Sequence, residues 1–167
     1  DGTIYCSVSG TLASVQGAIP PGYAPPAARF NYWGAIVQID HRRGKMRTLV
    51  ETKLPGVGEV LDPHGIQFID GNRLLVADFQ GFEPGGCIYA VDKRSGDLEV
   101  ISKNGLFTVP VSALMDSDGV VWVANADMTE ENDGEIIRIE KGGRQSVFLP
   151  PSGKNSGQVV GLLQSYK

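Results

Sequence analysis

Short runs of alternating apolar and polar residues punctuate the chain, each closed by a glycine- or aspartate-bearing turn. Gly34-Ala-Ile-Val-Gln-Ile-Asp40, Gly86-Cys-Ile-Tyr-Ala-Val-Asp92 and Gly134-Glu-Ile-Ile-Arg-Ile-Glu140 share one pattern, with starts 52 and 48 residues apart. Each is followed by a turn (HRRG, DKRSG, EKGG) and then by another strand-like run, at 46–51, 97–102 and 144–149. Upstream, His64-Gly-Ile-Gln-Phe-Ile-Asp70 with Arg73-Leu-Leu-Val-Ala-Asp78 matches Val111-Ser-Ala-Leu-Met-Asp116 with Val120-Val-Trp-Val-Ala-Asn125, offset by 47 residues. Period-two alternation and β-branched content predict strands, and the turn glycines would break helices. The repeating unit is therefore four short strands, A to D, in about 48 residues, joined by tight meander turns.

Four-stranded antiparallel units at this spacing are the mark of β-propeller blades. Asp1-Gly2-Thr-Ile-Tyr-Cys6 matches Asp118-Gly119-Val-Val-Trp-Val123, so the first blade opens on its B strand. Residues 157–164 read as an A strand with nothing after it. The expected fold is all-β, a single domain of three four-stranded blades. They occupy 1–54 with 157–164, then 63–107, then 110–150. Three blades are fewer than the roughly four to eight of closed propellers. A homodimer that exchanges its terminal strand would complete six and hide two sheet edges. The rival is a piece of a longer single-chain propeller.

With 22 glycines and 10 prolines in 167 residues, yet 41% hydrophobic residues, the composition is globular and turn-dense rather than disordered. A net charge of −4 offers no basic stripe and excludes a nucleic-acid partner. No apolar run of about 18 residues is present to cross a membrane as a helix. Cys6 and Cys87 sit inside strand-like runs, where thiols act as small buried hydrophobes. Neither lies in metal-ligand spacing, and no Gly-x-Ser-x-Gly elbow supports a serine hydrolase.

Pro63-His64-Gly65-Ile66 leading to Leu75-Val76-Ala77-Asp78, with Asp118-Gly119-Val-Val-Trp-Val-Ala-Asn125 and Gly134-Glu-Ile-Ile-Arg-Ile, resembles the six-bladed propellers of the NHL, SMP-30/gluconolactonase and strictosidine-synthase-like group. That resemblance implies architecture first, since the fold hosts lactonases, lyases, synthases and binding modules. It also implies a divalent metal ion (calcium, magnesium or zinc) at the channel mouth, some ligands standing at the x of Pro-x-Gly. Here that x is His64, with Asp78 as a second ligand. In the third blade the motif reads Pro110-Val111-Ser112, and Val111 cannot ligate.

His64 begins an A strand and so belongs beside the channel, where an imidazole can ligate metal, act as general acid or base, or simply bond water. Asp78 and Asn125 end equivalent B strands. They either join His64 as polar groups at one channel end or bond their own backbone two residues on. Asp70 and Asp116 are turn residues, and so is His41. The first B–C connection, 9–33, is long and has no counterpart in the other blades. Two proline pairs stiffen it, and Tyr23, Phe30, Tyr32 and Trp33 offer contact area for a small molecule or partner. The acidic stretch 127–133 does not match an EF-hand loop. Two functional classes follow. One is a ligand- or partner-binding propeller built on His64, Asp78, Asn125 and the long loop. The other is a metal-assisted lactonase, hydrolase or lyase with His64 as the catalytic residue.

Overall fold

A computed structural model describes residues 2–11, 32–51, 62–79, 85–126 and 134–149. Among these the chain is all-β, with three antiparallel sheets and no helix. The first sheet holds β1 (Thr3–Thr11), β2 (Tyr32–Asp40) and β3 (Lys45–Glu51) in that order. The second runs β4 (Pro63–Phe68), β5 (Arg73–Asp78), β6 (Cys87–Asp92), β7 (Leu98–Lys103). The third runs β8 (Val109–Met115), β9 (Val121–Ala126), β10 (Glu135–Ile139), β11 (Gln145–Leu149). These are the B-C-D, A-B-C-D and A-B-C-D strands expected from the repeat. The A strand expected at 157–164 lies outside the described residues.

The repeat extends to irregularities. Each C–D pair slips register at the same place, leaving one unpaired outer-strand residue: Leu49, Ile101 and Phe148. Each A–B pair slips just after its proline, Pro63 or Pro110. The turns are aspartate turns. Asp70 Oδ1 accepts from the Asn72 and Arg73 amides, Asp92 from Arg94 and Ser95, and Asp116 from Asp118 and Val120.

Blades pack face to face through apolar layers. One layer joins Ile36 and Val50 of the first blade to Leu74, Val76, Tyr89 and Val91 of the second. The other joins Leu75, Ala77 and Ile88 of the second to Val121, Val123, Ile137 and Ile139 of the third. The middle blade is buried on both faces, which is why Leu74-Leu75-Val76-Ala77 is a continuous apolar run instead of an alternating one. Inner strands approach closely: a Cβ on Gly65 would stand 2.8 Å from the Ser112 Cα, so β4 and β8 meet backbone to backbone there.

Two expectations need correction. The B–C connection does not begin at Ser9 and end at Trp33. The β1–β2 ladder continues through Ser9↔Gly34, Gly10↔Trp33 and Thr11↔Tyr32, so Tyr32 and Trp33 belong to strand β2. Of the cysteines, Cys87 is buried and Cys6 only partly so; both are free thiols. Burial chiefly pushes the Cys87 thiol up to about 11, so it stays protonated and inert at neutral pH.

Candidate functional site

The meander order places the start of β4, the end of β5 and the start of β6 at one end of the second blade. The strand ends flanking all three B–C connections share that end: Thr11 and Tyr32, Asp78 and Cys87, Ala126 and Glu135. His64 stands there, second residue of an inner strand, with its side chain 39% exposed.

His64 is held by a residue that the sequence reading passed over. Its Nε2 lies 3.4 Å from Oδ2 of Asp62, a carboxylate only 9% exposed. Asp62 is itself pinned at both backbone groups. Its amide donates to Asp78 Oδ1 at 2.7 Å, and its carbonyl accepts from the Phe79 amide at 3.0 Å. Residues two apart on an extended chain share a side, so the Asp62-Pro63-His64 spacing brings carboxylate and imidazole together. That spacing was the available signal, and the third blade has Val109 and Val111 at the same positions. From the neighbouring blade, the Ser7 hydroxyl donates to the His64 carbonyl at 2.8 Å. Ser7 thus bonds the backbone of His64 rather than its ring, and the three residues do not form a nucleophile–base–acid relay.

The Asp62 hydrogen bond raises the His64 pKa above its ordinary 6.5; burial opposes this, and the charges of Asp62 and Asp78 add to it. Because the folded value is raised, the pair's contribution to stability is present below the unfolded pKa. It is lost as pH rises through the folded one. Asp62→Asn removes the leading cause and leaves burial opposed by Asp78 alone. The His64 titration midpoint, followed by its ring C–H resonance, is expected to fall. An unchanged midpoint in Asp62→Asn would show that the pair does not act on the ring.

Asp78 and Asn125 occupy equivalent places but are 0% and 2% exposed. Asp78 Oδ1 takes the Asp62 amide. Asn125 Oδ1 takes the amides of Thr108 and Val109 at 2.9 and 3.1 Å. They therefore cap the entry of the preceding A strand, sixteen or seventeen residues earlier; the positions two residues on, 80 and 127, lie outside the described residues. Buried in this role, neither presents its side chain to solvent at that end. Tyr23 and Phe30 lie outside the described residues, as does the acidic stretch 127–133. His41 is an exposed turn residue in contact with the Gly2 carbonyl.

The described residues do not fit a divalent metal. His64 Nε2 faces Asp62, Asp78 Oδ1 is spent on an amide, and no group of three or more His, Cys, Asp or Glu converges among the described residues. A groove lined by Thr48, Glu51, Ser95 and Leu98 lies between the outer strand of the first blade and the C–D turn of the second, and neither His64 nor Asp62 lines it.

No protein-family model and no curated protein matches the chain. Among solved structures, a β-propeller chain from the crystal structure of the nidogen/laminin complex is similar in fold. Its TM-score is 0.51 at 12% identity, over 73% of this chain and 45% of that one. The likeness spans less than half of the solved chain and speaks to fold alone. Together with the three repeated sheets, it makes the fold propeller-like.

Proposed function

We propose that this chain is a ligand-binding propeller that receives a small, acceptor-bearing molecule at the loop end of its channel, with His64 as the recognising group. The observation that carries this reading is the His64–Asp62 pair. A half-exposed imidazole, oriented by a buried carboxylate, supplies a directed and charge-assisted donor at the end where the variable loops attach. Carboxylates are the ligands such a donor favours, and binding should strengthen where the ring is protonated. The resemblance of Pro63-His64-Gly65-Ile66 to channel-facing motifs of the NHL and SMP-30-like group supports the placement.

Simple carboxylates test it directly. Succinate and citrate, titrated calorimetrically, are expected to bind at about pH 5.5 and to weaken roughly tenfold or more at about pH 8.5, the scale of one charged hydrogen bond. His64→Ala should remove both the binding and its pH dependence. Binding that survives His64→Ala would place the site elsewhere.

The second reading, hydrolysis or lyase chemistry with His64 as general base, draws on the same carboxylate-backed imidazole. It requires turnover of a lactone or ester that disappears in Asp62→Asn and His64→Ala alike.

A further inference from the structure

The two blade-to-blade joints are built alike. In each, a glycine of positive φ in the C–D turn lies against the outer strand of the preceding blade. Gly96 (φ +81°) abuts the Leu49 carbonyl so closely that a Cβ would enter the oxygen; a Cβ on Gly143 (φ +84°) would stand 2.9 Å from the Ile101 carbonyl oxygen. Leu49 and Ile101 are the unpaired, bulged residues of β3 and β7. The front faces sealed by these joints are dry: Leu74 and Val91 in the second blade, Val121 and Ile139 in the third, none more than 1% exposed.

Both halves of this joint occur once more, at opposite ends of the row of blades. Gly44 closes the first blade's C–D turn at φ +61°, and among the described residues nothing lies within 4 Å of the Cβ it lacks. Its front face carries Ile4, paired with Ile39 as Leu74 is with Val91, yet Ile4 is 48% and Met46 70% exposed. At the far end, Phe148 is the bulged residue of β11, in the place of Leu49 and Ile101, and is 61% exposed. Beside it Trp122 takes the position that buried Leu75 holds in the second blade, with the two rings in edge contact at 4.7 Å.

We propose that a second copy of this chain joins these halves. The first blade of each copy docks on the third blade of the other, with Gly44 against the Phe148 backbone and Ile4 and Met46 over Trp122 and Phe148. The interface continues the two joints already within the chain, and that continuity identifies the occupant: the complementary half of each surface is the chain's own. The three described blades fall short of the four that the smallest rings need, so the first and third do not close on one another. Two copies make six, and a two-fold axis relates the two new joints and closes the ring. A ring of this kind would carry two His64–Asp62 pairs at one channel end.

Light scattering on a sizing column, across a dilution series of the 167-residue chain, tests the joint. The expected species has twice the 17.9 kDa chain mass. Phe148→Glu places a charge on a side chain already exposed in the single chain, so folding should be retained. It should raise the dimer dissociation constant by about thirtyfold or more, the scale of an interface hot spot. Gly44→Asn adds a Cβ while keeping a residue tolerant of positive φ, and should do the same. Circular dichroism checks that both variants remain folded. A folded 17.9 kDa species at every concentration overturns the proposal. So does a double-mass species indifferent to both variants, or a ladder of larger open assemblies.

Discussion

Gly96→Ala is expected to lower the unfolding free energy by about 3–4 kcal/mol, read as a fall in urea midpoint at constant slope. Two costs combine. An alanine held at φ +81° pays roughly 1–2 kcal/mol for the left-handed backbone. Its methyl group must also displace the Leu49 carbonyl, and overpacking of that kind costs about 1–3 kcal/mol. Two nearby glycines separate the terms. Gly142 has φ +95° and nothing within 4 Å among the described residues, so Gly142→Ala should pay the backbone cost alone. Gly143 faces the Ile101 oxygen at 2.9 Å and should fall between the two. The ranking Gly142, Gly143, Gly96 is the result to look for. Equal losses at all three would mean that the blades yield freely and the joint between them is not rigid.

The strands themselves were legible in the sequence because period two, β-branched residues and aspartate or glycine turns coincide at every repeat. Blade order followed from matching Asp1–Cys6 to a B strand, and β1 lies where that match put it. The C–D bulges were not legible. Leu49, Ile101 and Phe148 sit in runs that read as unbroken strands, and the slip depends on which residue of the neighbouring strand each partner meets. The start of the long loop was misplaced for a similar reason. Gly10 and Thr11 have weak strand character, yet pairing with Trp33 and Tyr32 extends the ladder through them. At the site, His64 was legible through the Pro63-His64-Gly65-Ile66 motif, whereas Asp62 stands just before that motif and has no acidic counterpart in the third blade, where Val109 takes its place. The joint formed by Gly96 and Leu49 joins residues 47 apart in different blades, and no local pattern records it.

Asn125 and Asp78 look interchangeable in sequence, and the structure gives a reason why they differ. Both accept amides at the start of an A strand. In the register, however, Asp78 stands opposite Cys87, whereas Asn125 stands opposite Glu135. The Asn125 amide nitrogen donates to Glu135 Oε1 at 3.1 Å and to the Leu106 carbonyl at 3.3 Å. A carboxylate there could still accept from Thr108 and Val109, but it would lose both donations and face Glu135 as a like charge. A leucine would lose all four bonds and leave the Val109 amide buried without its partner. A buried amide stranded in this way pays its full desolvation cost. Asn125→Leu is accordingly expected to cost about 3 kcal/mol, the sum of stranded amides and lost bonds. Asn125→Asp should cost less at low pH, where a protonated carboxyl can donate, and progressively more as pH rises and the new group ionises against Glu135. Denaturant midpoints of both variants at about pH 4 and pH 7 decide the matter. If Asn125→Asp is no more destabilised at the higher pH, the choice of amide over carboxylate does not come from Glu135, and the two caps are equivalent after all.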